Sequence, residues 1–304
     1  MPLTELDMNV LREIARLYVL TREMAQLRCC PDHASGRGAR KRLGRLGKAG
    51  YIVKHRVPVA LPGTNGAAPV YYVTKKGAEA LASYFEDDAY LATNTRTPRA
   101  DRLCHWIAIN RVRILIEDAA EHVPGLMVSP WYTEWTVCNQ TDSKTDQFYL
   151  HTQFSDSPPL SCSPDAAFLL NYRGVSRAYY VEVDLGTSSP RQIAARKSKG
   201  YERLATTKSH RKHFPEATSS SLRVLFITTN DYRARKTMEE MSDKPASDLW
   251  LMMNESKLTQ ENFFTGDVAL DHAGVIGPLL HITTDVVEAT QQLIEPHAAT
   301  PVTA

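Results

Sequence analysis

Apolar side chains recur at helical spacing from the start of the chain. Leu6, Val10, Leu11, Ile14, Leu17 and Tyr18 share one side of a helical repeat, which predicts an amphipathic helix from Thr4 to Tyr18. Leu20-Thr21 then offers a turn and an N-cap for a second, short helix through Leu27. The stretch "RCCPDHASGRG" breaks the pattern with Pro31, Gly36 and Gly38. A third helix is predicted in "ARKRLGRLGKAGYI", where Ala39, Leu43 and Leu46 face a core and Gly50 is the expected stop. "YIVKHRV" and "VYYVT" read as strands around the loop "PVALPGTNGAAP", and "TKKGAEALASYF" as a helix capped by Thr74.

The pattern lapses between residues 87 and 101, a polar stretch with Pro98 that reads as a linker. A long amphipathic helix follows from Leu103 to His122, stopped by Pro124-Gly125. "MVSPWYTEWTV" predicts a strand, and "NQTDSKTDQFYLHTQFSDSPPLSC" a polar flap or extended hairpin. "SPDAAFLLNY" and "RAYYVEVDLG" read as strands joined at Gly174. A helix from Pro190 to Thr206, the strand "LRVLFITT", the helix "DYRARKTMEEM" and a strand-helix pair in "LLHITTDVVEATQQLI" complete the series. Strands with crossover helices predict an α/β fold with a mixed sheet. The organisation expected is residues 1–86, a linker at 87–101, a larger domain at 102–295 and a flexible tail at 296–304.

Charge adds a contrast that the total hides. The net charge of +2 divides into 16 Lys/Arg against 9 Asp/Glu in residues 1–100, and 20 against 25 in the remainder. From Arg37 to Arg56 there are eight basic residues and no acid. A basic helix fits the major groove, and its cations displace counterions from phosphates. Arg37, Arg40, Lys41, Arg45 and Lys48 are the candidate contacts to double-stranded DNA; a basic face on a protein-contact module is the alternative. No apolar run is long enough for a membrane span and the N-terminus is acidic-polar, so the expectation is a cytoplasmic protein without membrane contact. The five cysteines form no CxxC pair, which argues against a disulfide framework or zinc ribbon.

The candidate chemistry lies in "YYVEVDLG". Alternation along a strand puts Glu182 and Asp184 on one face, half-buried, where two carboxylates repel each other. The predicted hairpin at Gly174 brings Asp165 close to Glu182. Three carboxylates at one end of a sheet form an oxygen-rich site suited to Mg2+ or Mn2+, which would offset the repulsion and activate water for phosphodiester hydrolysis. Lys197 or Lys199, on the helix that follows, could steady the developing charge. Glu134 and Glu117 are weaker candidates that surface positions explain better, and a solvated helix end explains the basic run "SHRKHF" as well. Tyr201 fits packing or phosphate contact better than a nucleophilic role. His105, His122 and His151 lack zinc-ligand spacing.

Three resemblances rest on these residues. "RLGRLGKAGYI…YYVTKKGAEAL" resembles the winged helix-turn-helix class. Pro164-Asp165, Glu182 on the next strand and a nearby lysine resemble the PD-(D/E)xK nuclease superfamily. "YYVEVDLGTSS…RKSKGYERL" more narrowly resembles the replication-relaxation family of plasmids and integrative elements. The resemblance implies an N-terminal winged helix-turn-helix followed by a restriction-endonuclease-like mixed-sheet α/β domain. It also implies metal binding by Asp165 and Glu182, with Lys197 as an active-site lysine moved onto the helix. Asp184 stands where the superfamily has its usual lysine, as an added ligand or water-orienting base, or as a mark of lost cleavage. The implied function is relaxase-like: recognition of an origin-type site and metal-dependent nicking, with a homodimer or accessory mobilisation proteins as further partners. A non-catalytic regulator of replication or transcription and a restriction-like defence nuclease are the alternatives.

Overall fold

Thr4 starts the first helix, α1 (Glu5–Leu17). Its hydroxyl accepts from the Asp7 N–H at 3.3 Å, and the Asp7 carboxylate accepts from the Thr4 N–H at 2.9 Å. Two of the otherwise unpaired N–H groups of the first turn are met in this way. In the computed structural model, residues 3–31, 35–56, 69–138 and 147–280 are described, and the chain divides into two compact units, Met1–Arg113 and Ile114–Ala304.

In the first unit α1 is followed by β1 (Leu20–Thr21), α2 (Arg22–Cys29), α3 (Arg37–Lys48), β2 (Ile52–His55), β3 (Val70–Val73) and α4 (Lys75–Phe85). Thr21 caps α2 as predicted, accepting from the Met24 N–H. Met8, Leu11, Ile14 and Leu17 of α1 and Ala39, Leu43 and Leu46 of α3 are buried. The strands form an antiparallel sheet in the order β1-β3-β2. Most of the predicted loop between β2 and β3 falls in residues 57–68, outside the described residues.

The entry to α4 has a steric reason. Thr74 caps the helix by accepting from the Gly77 N–H, and its own hydroxyl lies 2.7 Å from the Gly50 carbonyl. A Cβ at Gly77 would collide with the Tyr51 carbonyl and stand 2.7 Å from Val73 Cγ1. Only glycine lets the helix start that close to β2. Beyond it, the stretch predicted as a linker holds a short turn of 3-10 helix at Asp88–Ala92. The division between the units comes later, inside α5 (Leu103–Glu121).

The second unit runs through β4 (Met127–Thr133), β5 (Thr152–Asp156), β6 (Pro159–Cys162), β7 (Ala166–Tyr172), β8 (Val175–Asp184), α6 (Pro190–Thr206), α7 (His210–His213), β9 (Leu222–Thr228), α8 (Asp231–Met241), β10 (Trp250–Asn254), β11 (Ala269–Leu270) and β12 (Ile276–Gly277). β5 and β6 pair as a separate hairpin, the extended part of the polar excursion. The main sheet has the order β12-β11-β10-β9-β8-β7-β4. β8, β9 and β10 are parallel, and the remaining pairings are antiparallel. Parallel neighbours need crossovers, which α6 and α8 supply.

β8 is therefore a central strand with both faces covered, where the alternation had predicted a half-buried one. Tyr179 turns one way and stacks on Phe168, which stacks on Trp131, with ring centroids 5.5 and 5.0 Å apart. Ala178 and Tyr180 turn the other way, into a core with Ala194, Tyr201 and Leu204 of α6 and Met238 of α8. The strand predicted at "LLHITT" and the helix after it lie almost wholly beyond Leu280, outside the described residues, as does the predicted tail. The described strands after α8 come instead from the short runs at Trp250, Ala269 and Ile276. No helix among the described residues is long and apolar enough to cross a membrane.

Candidate functional site

The register of the β7–β8 hairpin pairs Ala166 with Val181, which sets Asp165 beside Glu182. Asp165 Oδ2 accepts from the Val183 N–H at 2.7 Å, and its carbonyl accepts from the Glu134 N–H at 2.8 Å. The next contribution comes from α6. Ser189 and Gln192 form a capping box and Pro190 occupies the first turn, so the helix starts at a fixed point. Lys197 and Tyr201, four residues apart, then share its inner face. Gly200 between them allows close packing, because a Cβ there would stand 2.7 Å from the Ser161 carbonyl oxygen.

Both inward side chains end on one carboxylate. Lys197 Nζ lies 2.9 Å from Glu182 Oε1 and 2.7 Å from Oε2, and Tyr201 donates to Oε1 at 2.6 Å. Lys197 also donates to the Ser163 carbonyl at 3.2 Å. Burial raises Glu182 to about 7, with the Asp165 charge adding to the rise and Lys197 opposing it. Burial acts downward on Lys197, but Glu182 and Asp165 outweigh it and hold the ammonium above the ordinary lysine range. Burial and then Glu182 keep the Tyr201 phenol protonated, with its pKa well above the usual value.

Asp184 shares the face with Glu182 but not the site. Two positions along a strand separate the side chains by about 7 Å, so each meets a different helix. Arg233 of α8 grips Asp184 through Nε and, at 2.9 Å, through Nη2, while Thr228 donates to it at 2.7 Å and the Gly186 N–H at 3.1 Å. Asp165, Glu182 and Asp184 thus do not form one ligand set, which corrects the three-carboxylate arrangement expected from the strand. No group of three or more His, Cys, Asp or Glu among the described residues is placed to hold a metal ion. Asp165 and Glu182 supply hard oxygen donors of the kind Mg2+ accepts, one or two carboxylates completed by water, but both oxygens of Glu182 already contact Lys197. As arranged, the pair is not a preformed cation site.

The predicted DNA contacts also separate. Arg37, Arg40, Lys41 and Lys48 project from the exposed face of α3. Arg45 instead turns onto the buried Asp7 of α1, which Arg42 reaches at 3.2 Å. Burial alone would raise Asp7, but Arg45 and the Thr4 cap together hold it down to about 2. Arg45 anchors α3 to α1, a role that charge and spacing on α3 could not reveal. Gly44 is exposed in line with Arg37, Lys41 and Lys48, with open space where a Cβ would stand.

Of the weaker candidates, His151 Nδ1 lies 2.7 Å from Ser163 Oγ, and His122 bonds the Asp118 carbonyl. None of the five cysteines is in a disulfide among the described residues. Sequence reasoning missed Arg233 altogether, since nothing local links it to Asp184. The Tyr201 contact was foreshadowed only by its i, i+4 spacing from Lys197.

A family model described as replication-relaxation matches residues 11–216, about two thirds of the chain. No curated protein and no solved structure matches it. The matched span takes in α3, Asp165, both acids of β8, Lys197 and Tyr201, but ends before Arg233. The chain belongs to the replication-relaxation family.

Proposed function

We propose that this protein binds double-stranded DNA in the replication or relaxation of plasmid or mobile-element DNA, with its first unit acting as a winged helix-turn-helix. Family membership supports the process, and the element order with the β1-β3-β2 sheet supports the winged-helix reading. The observation that carries it is the outward face of α3, where Arg37, Arg40, Lys41 and Lys48 are exposed and form no ion pair with an acid among the described residues. That helix would enter the major groove, with the two-stranded segment after it lying along the backbone. Recognition of an origin-type site belongs to this reading. Its test is binding of duplex DNA over a range of salt: affinity should fall steeply as salt rises, and binding indifferent to salt would refute it.

The second unit supports a holding role more directly than a cutting one, because each acid on β8 is already matched by a cation from its own fold. Metal-dependent nicking is a second reading, favoured by the convergence of Asp165, Glu182 and Lys197. It requires a cation to displace Lys197 from Glu182. Supercoiled plasmid with Mg2+ or Mn2+ decides between them: nicked circles that vanish in Glu182→Ala support cutting, and persistent supercoils support holding. Rapid linearisation would favour a defence nuclease.

A further inference from the structure

α6 has an outer face as well as the inner one that holds Glu182. Arg196, Lys199 and Arg203 line it at i, i+3 and i+7, and all three are exposed. The chain continues with Lys208, Arg211 and Lys212, also exposed, at and after the helix end. Between residues 191 and 212 there are eight basic residues and one acid, the half-exposed Glu202. None of those six outer cations takes part in an ion pair among the described residues. Some exposed cations elsewhere do pair: Arg99 with Asp101, Lys236 with Glu239 and Lys257 with Asp231.

Composition makes this segregation unusual for a merely solvated helix. Residues 101–304 carry 25 acids against 20 bases, so acids are plentiful, yet the segment from residue 191 to 212 holds only one. Like charges one and two turns apart repel and weaken a helix. The face is also held rigidly, since Lys197 and Tyr201 fix α6 to Glu182 from within and Gly200 seats it against Ser161. From Arg196 to Arg203 the stripe extends about 10 Å, roughly three base-pair steps of a duplex.

From these observations we infer that the outer face of α6, with the basic segment through Lys212, is a second binding surface for the phosphate backbone of duplex DNA, separate from α3. The inference rests on the DNA-binding reading above and extends it to the second unit. Because the contacts are to phosphate, they add affinity without sequence preference. The full chain would engage DNA at two places, one carrying the groove contact and one only the backbone.

The test compares full-length protein with Arg196→Ala/Lys199→Ala/Arg203→Ala and with Arg37→Ala/Lys41→Ala/Lys48→Ala, measuring affinity for one duplex from low to high salt. Each lost phosphate contact should reduce the slope of log affinity against log salt by about 0.9, so the α6 variant should lose about 2.7 and bind at least about tenfold more weakly. The loss should be equal on specific and random duplexes. An α6 variant with wild-type affinity and slope overturns the inference, while weakening of the α3 variant in the same experiment leaves the DNA-binding reading standing. Wild-type protein that binds no duplex overturns both. A measurement without substitutions covers misfolding: bound duplex should slow acetylation of Lys199, Lys208 and Lys212 in the wild-type protein. Unchanged rates under saturating DNA would likewise overturn the inference.

Discussion

Arg233 holds Asp184 with two guanidinium nitrogens, and this pairing separates two acids that strand alternation places on the same face. Glu182 is met by Lys197 from α6 and Asp184 by Arg233 from α8. The repulsion between neighbouring carboxylates is relieved by one cation each.

Removing Arg233 should therefore be costly. Arg233→Ala leaves a buried carboxylate without its fork, and losing one partner of such a pair costs about 3 kcal/mol or more. Urea denaturation should show that loss. Asp184→Asn added to Arg233→Ala should recover part of it, because the stranded charge is then gone. A single variant as stable as wild type would show that the fork contributes little.

Glu182 gives a pH dependence with a definite sign. Its value is raised in the folded protein from 4.5 to about 7, first by burial. Between those values the folded state holds a proton that the unfolded chain has released, so stability from this group falls as pH rises through the window. Measured against Glu182→Gln, wild-type protein should lose up to about 3 kcal/mol between pH 4.5 and 7 and little beyond. A difference that is flat with pH would contradict the burial argument.

Asp7 should titrate in the opposite sense. Held down to about 2 by Arg45 and Thr4, it stabilises the first unit above its ordinary carboxylate range, and the contribution disappears as pH falls from about 4 to 2. Asp7→Asn should cost about 2 kcal/mol at neutral pH and nothing near pH 2, as read from thermal unfolding at each pH.

Gly77 tests the packing of the first unit. Gly77→Ala places a methyl group against the Tyr51 carbonyl and Val73, so it should destabilise by about 1–3 kcal/mol, against the usual gain from alanine in a helix. Gly44→Ala, with open space at its Cβ, should leave stability unchanged or raise it slightly.

Local rules carried far along this chain. α6 and α8 have the bounds expected from the sequence, and the buried triad Ala39, Leu43 and Leu46 follows directly from spacing on α3. The hairpin at Gly174 was legible, and with it the approach of Asp165 to Glu182. What stayed hidden depends on contacts between distant segments. Asp7 lies 38 residues from Arg45, and Asp184 lies 49 from Arg233. No periodicity reports which acid claims which cation, so Arg45 read from sequence as a DNA contact and Asp184 as a metal ligand. β10 was missed for a related reason: "WLMMN" is short and without alternation, and only its pairing with β9 and β11 makes it a strand.

DNA binding by the first unit depends most on the exposed face of α3. Its most direct test is the salt dependence of duplex binding by full-length protein and by Arg37→Ala/Arg40→Ala/Lys41→Ala/Lys48→Ala. The slope of log affinity against log salt should shrink by about 3.6 in the variant if each side chain meets one phosphate. A variant that binds with the slope of the wild type would contradict the assignment of α3 to DNA.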